Sequence, residues 1–136
     1  MVNNEYIDTS VQKAGVPGFL GCLEHVAMIW DTIRYARQEK KDLYVIWLDL
    51  ANAYGSVQHH LIAKALDFFW VPNKVREMIV QYNNDFFMRF SPPKYTTKWQ
   101  ELEVGIPMGC VISPLLFVMA MEVIICGTKG VSTGVV

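Results

Sequence analysis

The stretch Leu43-Tyr-Val-Ile-Trp-Leu-Asp-Leu-Ala-Asn-Ala-Tyr54 is a run of apolar residues broken by one aspartate and followed by small residues and an aromatic. Val45 to Leu48 are too continuously apolar for a half-exposed strand, and the run is too short and too rich in β-branched and aromatic residues to favour a helix. It reads as a buried strand that delivers the carboxylate of Asp49 to a site. A lone charge is costly there, so Asp49 is expected to be hydrogen-bonded, paired or bound to a metal. Ala51, Ala53 and Gly55 leave room for something to approach the backbone, and Tyr54, five residues after the aspartate, sets a ring beside it. A plainer role stays open, since aspartates at strand ends often close an Asx turn or cap the helix that follows.

A second segment, Val104-Gly-Ile-Pro-Met-Gly-Cys-Val-Ile-Ser-Pro-Leu-Leu-Phe117, is a glycine-punctuated loop running into an apolar helix. Ser113 suits an N-cap and Pro114 the first helical position. A run ending in D-x-x-x-A-Y, followed sixty residues later by G-x-x-x-S-P-L-L-F, resembles motifs A and B of reverse transcriptases, with the non-LTR (LINE-type) retrotransposon enzymes as the nearest likeness. Gln12-Lys13 with Gly21-Cys-Leu-Glu-His25, Ser56-Val57 with His59, and Met121-Glu122 also look like that group. The resemblance runs from Gln12 to Ile125, in the right order and spacing.

The resemblance implies an α+β fold: part of a polymerase palm and fingers, with a small, mainly antiparallel sheet packed by helices. Residues 12–125 would be the partial reverse transcriptase domain, with an N-terminal extension over 1–11 and a divergent tail over 126–136. The implied activity is RNA-directed DNA synthesis by a two-metal mechanism, one ion activating the primer hydroxyl and the other holding the triphosphate. By the same resemblance, Asp49 and the Leu50 carbonyl hold magnesium, with manganese as a substitute. Tyr54, beside Ala53, lies under the deoxyribose and excludes a 2′-hydroxyl, while Gly109, Cys110, Ser113 and Pro114 face the nucleotide and template. The implied partners are an RNA template, a DNA primer, a deoxynucleotide and the remainder of the polymerase chain.

Two departures qualify this expectation. The family's glutamine before the motif B glycine is Met108, and the aromatic-x-Asp-Asp box of motif C occurs nowhere up to Val136. The metal site is then incomplete, because one aspartate cannot hold two ions that demand several hard oxygen ligands. The chain is expected to be a fragment inactive by itself. A non-catalytic retroelement remnant that at most binds RNA or protein is the alternative, and an unrelated intracellular α+β binding domain is a third class.

Composition bounds these classes. A chain of 136 residues with 52% hydrophobic content can bury a core and form one domain or part of one. The formal net charge of −1 lends no general support to nucleic-acid binding, which usually leaves a basic footprint. Three cysteines without C-x-x-C spacing indicate neither a disulfide framework nor a zinc site and fit a reducing, intracellular compartment. No basic-then-apolar leader opens the chain, which argues against secretion, and the apolar stretch from Val111 to Cys126 is too short and too interrupted to span a bilayer.

Elsewhere, Leu23, Val26, Ala27, Trp30 and Ile33 follow helical spacing between Leu20 and Lys40, and this helix is expected to pack on the sheet by its Trp30 side. Two further helices are expected over 60–69 and 72–83, split at Val71-Pro72. Between Phe87 and Gly105, Pro92-Pro93 mark the turn of a hairpin in which Arg89, Lys94 and Lys98 interleave with Phe90, Tyr95 and Trp99. That mix can pair phosphate contacts with base stacking, and Gln12 and Lys13 nearer the start are further candidate nucleic-acid contacts; ordinary solvated lysines on a half-buried hairpin are the plainer reading. His25, His59 and His60 have no carboxylate at ligand spacing on a shared helix face, so structural roles are expected for them. Glu24 and Glu122 are expected to cap, pair or face solvent.

Overall fold

Helical spacing of apolar residues builds most of the regular structure. In the computed structural model, which describes residues 6–129, the elements are α1 (Cys22–Gln38), a 3₁₀ turn (Tyr54–Ser56), α2 (His59–Phe68), α3 (Asn73–Asn84), β1 (Phe87–Met88), β2 (Gln100–Glu101) and α4 (Ser113–Thr128). The content is mixed α and β, with one two-stranded antiparallel sheet among the described residues. The chain divides into two compact units, Met1–Ala51 and Asn52–Val136. The expected extension over 1–11 and tail over 126–136 fall in part on residues 1–5 and 130–136, outside the described residues.

In the second unit α2 packs on both α3 and α4. Ile62, Ala65 and Leu66 of α2, with Phe69 at its C-cap, recur at one face and meet Leu116, Met119, Ala120 and Val123 of α4, with Ile79 of α3 and with Val57 and Ile106 from the loops. The spacing in both helices is i, i+3, i+4, i+7, which places one apolar stripe against another. Removing each large side chain of this cluster from water is worth roughly 1.5–3 kcal/mol. The break between α2 and α3 has a local cause: Trp70 adopts a left-handed φ of 52°, its N–H donates to the Asp67 carbonyl and that of Val71 to the Leu66 carbonyl. This is the hydrogen-bond pattern that commonly ends helices, and Pro72 then starts α3 as its N-cap residue. Arg76 of α3 closes the turn by gripping Asp67, Nε to Oδ1 at 2.8 Å and Nη2 to Oδ2 at 3.0 Å.

The expected hairpin forms. Phe87 pairs with Glu101 and Met88 with Gln100, and the Leu102 N–H donates to the Phe86 carbonyl. Beyond this short ladder, the Thr97 N–H bonds the Phe90 carbonyl and the Thr97 hydroxyl accepts from the Phe90 N–H at 2.9 Å. Pro92-Pro93 lie in the connection between the strands.

The first unit departs from expectation at its centre. Residues 41–50 form neither strand nor helix, and Ile46, Trp47 and Leu48 are 83%, 73% and 93% exposed. Asp49 is correspondingly exposed rather than set in a buried strand. A strand apolar on both faces is held by ladders along its edges, and among the described residues no segment pairs with 43–50. Helix α1 spans the expected residues and ends like α2, with Lys40 left-handed at φ 53° and the Lys41 N–H donating to the Ala36 carbonyl. Its Trp30 face, however, is exposed and Ala36 is its one buried residue, because among the described residues of this unit no sheet receives that face. Lys13 pairs with Glu24 at 3.0 Å and lies over the Phe19 ring, an arrangement that holds the Glu24 carboxyl below its usual range, first through the hydrogen bond from Lys13 and then through the Leu20 N–H.

Charging the extended segment should therefore leave folding untouched. Ile46→Lys with Leu48→Lys is expected to change unfolding free energy by less than about 0.5 kcal/mol in urea denaturation, while light scattering and apolar-dye binding fall. A loss of several kcal/mol would place those side chains in a core.

Candidate functional site

The residues singled out between 53 and 57 are built into the second unit by backbone hydrogen bonds. The Ser56 N–H and hydroxyl both donate to the Asn52 carbonyl at 2.9 Å, which winds the 3₁₀ turn. The 104–107 loop then lies alongside it: the Gly105 N–H donates to the Val57 carbonyl at 2.9 Å and the Ile106 N–H to the Tyr54 carbonyl at 2.8 Å. His59 holds the same loop from its other side, Nε2 lying 3.0 Å from the Gly105 carbonyl. A carbonyl only accepts, so Nε2 carries the proton.

Gly105 is required at this crossing. Its φ is 98°, and a Cβ there would sit 2.8 Å from the Gly55 Cα. The backbone approach that the small residues around Tyr54 permit is thus made by another loop of the same chain.

Tyr54 is fixed through its ring as well. It stacks on Phe117 of α4, with centroids 4.9 Å apart and planes 15° from parallel. The start of α4 is anchored by Ser113, but not as an N-cap: Ile112 occupies that position in helical conformation, and Pro114 lies in the first turn. The buried Ser113 hydroxyl instead donates to the Pro107 carbonyl at 2.7 Å. The helix is already begun at Ile112, so the hydroxyl is released to close the loop rather than the helix end. Between these anchors Met108 and Gly109 are exposed, and Gly109 is left-handed at φ 90° with open space where a Cβ would be.

Cys110 is half-buried, and the Tyr82 hydroxyl of α3 donates to its Sγ at 3.6 Å. The Ile112 N–H, followed by this hydroxyl, pulls the Cys110 thiol below its ordinary value, and the same contact raises the Tyr82 phenol.

The structure thus brings Tyr54, Ser113 and the 105–113 loop together in the second unit. Asp49 and Leu50 belong to the exposed segment of the first, and Ala53 is half-buried beside Tyr54. Among the described residues no group of three His, Cys, Asp or Glu side chains is placed to hold a metal ion. Lys13 is committed to Glu24, and the Gln12 N–H to the Asp8 carbonyl. Arg89, Lys94 and Lys98 are exposed on the hairpin. Glu122, far from facing solvent, is buried in α4 and accepts from the Cys126 thiol at 3.4 Å. Sequence reasoning missed His59, Phe117 and Tyr82 as parts of this arrangement. His59 and Phe117 stand in family-like text, but nothing in the sequence shows that they touch Gly105 and Tyr54, and Tyr82 carries no local mark at all.

The chain matches the family described as reverse transcriptase (RNA-dependent DNA polymerase) over residues 7–134. It also resembles the retrovirus-related Pol polyprotein from type-1 retrotransposable element R2 of Nasonia vitripennis, 30% identical over 105 residues that make up 77% of this chain and 10% of that protein. The chain belongs to the reverse transcriptases of non-LTR retrotransposons. The R2 polyprotein of Popillia japonica is 24% identical over 102 residues, 75% of this chain and 17% of that one. The chain therefore spans a small part of the length of these relatives. No solved structure is a significant match. Among the described residues of this reverse transcriptase chain, no helix is long and apolar enough to cross a membrane.

The Gly105 crossing makes a direct demand on stability. Gly105→Ala is expected to lose about 1–3 kcal/mol from the left-handed backbone alone, plus the cost of a clash with backbone that cannot turn aside. Gly109→Ala carries the same conformational strain without the clash. Urea denaturation should rank Gly105→Ala clearly below Gly109→Ala; equal losses would show that the two loops separate freely.

Proposed function

We propose that the chain forms the nucleotide-facing part of an RNA-directed DNA polymerase, with Tyr54 as the residue that selects deoxyribose. The observation that carries this reading is the double fixation of Tyr54, its carbonyl bonded to Ile106 and its ring stacked on Phe117, five residues after Asp49 in a chain of this family. An aromatic plate held in that way cannot turn aside for a 2′-hydroxyl. Discrimination then comes from a steric penalty against the wrong sugar.

The other residues divide by what they can do. Gly109, exposed and without a side chain, lets a nucleotide or template approach the backbone closely, with Cys110 following it and Pro114 in the first turn of α4. Ser113 shapes this loop through Pro107. Reverse transcriptases generally use divalent metal ions, for which Asp49 and the Leu50 carbonyl are the oxygen donors proposed here. Magnesium or manganese needs a near-complete oxygen shell, and two ions need several carboxylates to offset their mutual repulsion. The described residues do not by themselves fit such a site, and the further carboxylates are assigned to the remainder of the polymerase chain. An RNA template and a DNA primer are the proposed partners.

Primer extension tests this in a polymerase in which the chain is joined to the rest of a retroelement polyprotein. Asp49→Asn is expected to abolish extension. Tyr54→Val should retain extension and lower the preference for deoxynucleotides over ribonucleotides at least tenfold, about 1.4 kcal/mol. Unchanged sugar preference in an active Tyr54→Val enzyme would overturn the assignment.

A further inference from the structure

The β1–β2 hairpin carries a concentration of chemistry that neither the core nor the Tyr54 site uses. From Phe86 to Gln100 there are three cations, Arg89, Lys94 and Lys98, and no acid; Asp85 and, in β2, Glu101 bound the stretch. Among the described residues no carboxylate pairs with any of the three. Three aromatics interleave with them and stay in solvent: Phe90, Tyr95 and Trp99 are 69%, 66% and 61% exposed. Burial does not explain these rings.

One further step of the ladder register places Arg89 opposite Trp99, and the Arg89 guanidinium lies 4.7 Å from the centre of the Trp99 ring. That contact orients the guanidinium and fixes the ring, while leaving most of the ring's surface open. By strand alternation Phe87 shares this face with Arg89. Phe87 also lines a surface groove with Met78, Gln81, Tyr82, Asp85 and Phe86. An aromatic platform flanked by cations thus continues into a groove that offers apolar walls, the Gln81 amide, the Tyr82 phenol and one carboxylate, that of Asp85.

We propose that this hairpin is a binding surface for single-stranded RNA, with bases stacking on Trp99 and Tyr95 and phosphates meeting Arg89, Lys94 and Lys98. Stacking suits unpaired bases, because a duplex hides its base faces, and every base has such a face, so binding is tolerant of sequence. Charge complementarity selects a polyanion over an apolar partner. The choice of RNA as the strand rests on the polymerase reading above; the surface itself does not.

The test is fluorescence anisotropy of a labelled twelve-nucleotide single-stranded RNA with the full 136-residue chain, without nucleotides or metal. Trp99→Ala should weaken binding about tenfold. Lys94→Gln with Lys98→Gln should also weaken it and flatten the dependence of log affinity on log salt by about 0.7 for each phosphate that is no longer neutralised. Trp70→Ala, which removes an exposed tryptophan away from the hairpin, should bind as the parent chain does. Duplex RNA of the same sequence should compete at least tenfold less well. Cross-linking of 4-thiouridine RNA to the unaltered chain should place adducts between Phe87 and Trp99, which keeps the proposal testable if a variant fails to fold. Adducts confined to other segments, a Trp70→Ala loss equal to that of Trp99→Ala, or equal competition by duplex would each overturn it. Single-stranded DNA binding with RNA excluded would overturn the choice of strand. Because the assay contains no chemistry, its failure leaves the Tyr54 assignment standing, and loss of sugar selection leaves the hairpin standing.

Discussion

The second unit depends on the crossing of two backbones at Gly55 and Gly105, where a single methyl group would force them apart. From that crossing runs a closed ring of contacts: the 3₁₀ turn bonds to residues 105 and 106, the loop passes Pro107, Ser113 ties Pro107 to the start of α4, and Phe117 on α4 returns to the Tyr54 ring. Each hydrogen bond contributes only about 0.5–1.5 kcal/mol net, and the stacked pair a similar amount. Their effect on Tyr54 comes from closure. A ring held at both its backbone and its side chain has few ways to move that do not break a second contact.

Helical spacing is legible in the sequence because each helix of the second unit buries a stripe against another helix of the same unit. Ile62, Ala65 and Leu66 announce α2, and Leu116, Met119 and Ala120 announce α4, wherever the chain is cut. The hairpin is legible from Pro92-Pro93, although its ladder covers only two residue pairs. The strand expected at 43–48 does not form, since a strand is a relation between segments and its sequence states only what it would bury if paired. The same limit explains α1, whose apolar face is where the spacing puts it but meets no sheet among the described residues of its unit. Ser113 departs from expectation for a subtler reason. A hydroxyl suited to capping also suits a carbonyl six residues earlier, and only the path of the loop decides between them.

The motif residues are legible in order and spacing, and the structure adds a folding reason for some of them. Gly55 reads as room for a ligand, yet the Asn52 side chain fills the place of its Cβ and the Gly105 backbone crosses beside its Cα. His59, structural by its spacing, holds the carbonyl of that same glycine. Small residues near Tyr54 therefore do not of themselves indicate where a nucleotide sits. Exposed Gly109 is different in kind, because nothing of the chain fills the space beside it.

Charge teaches a related lesson about scale. A net charge of −1 over 136 residues, taken as a sum, disfavours a polyanionic partner. Charges in physiological salt, however, act over about 8 Å, so a ligand senses the residues it touches and not the chain's sum. Lys13 and Arg76 are already neutralised by Glu24 at 3.0 Å and Asp67 at 2.8 Å, and contribute little to any field beyond their own pairs. Arg89, Lys94 and Lys98 stand within ten residues of one another in the connection between β1 and β2, where no acid lies between them; the hairpin's own acid, Glu101, is at its far end opposite Phe87. Their potential adds instead of cancelling. A chain that is acidic on average can thus gather unpaired cations on one short stretch, because its acids lie elsewhere in the sequence.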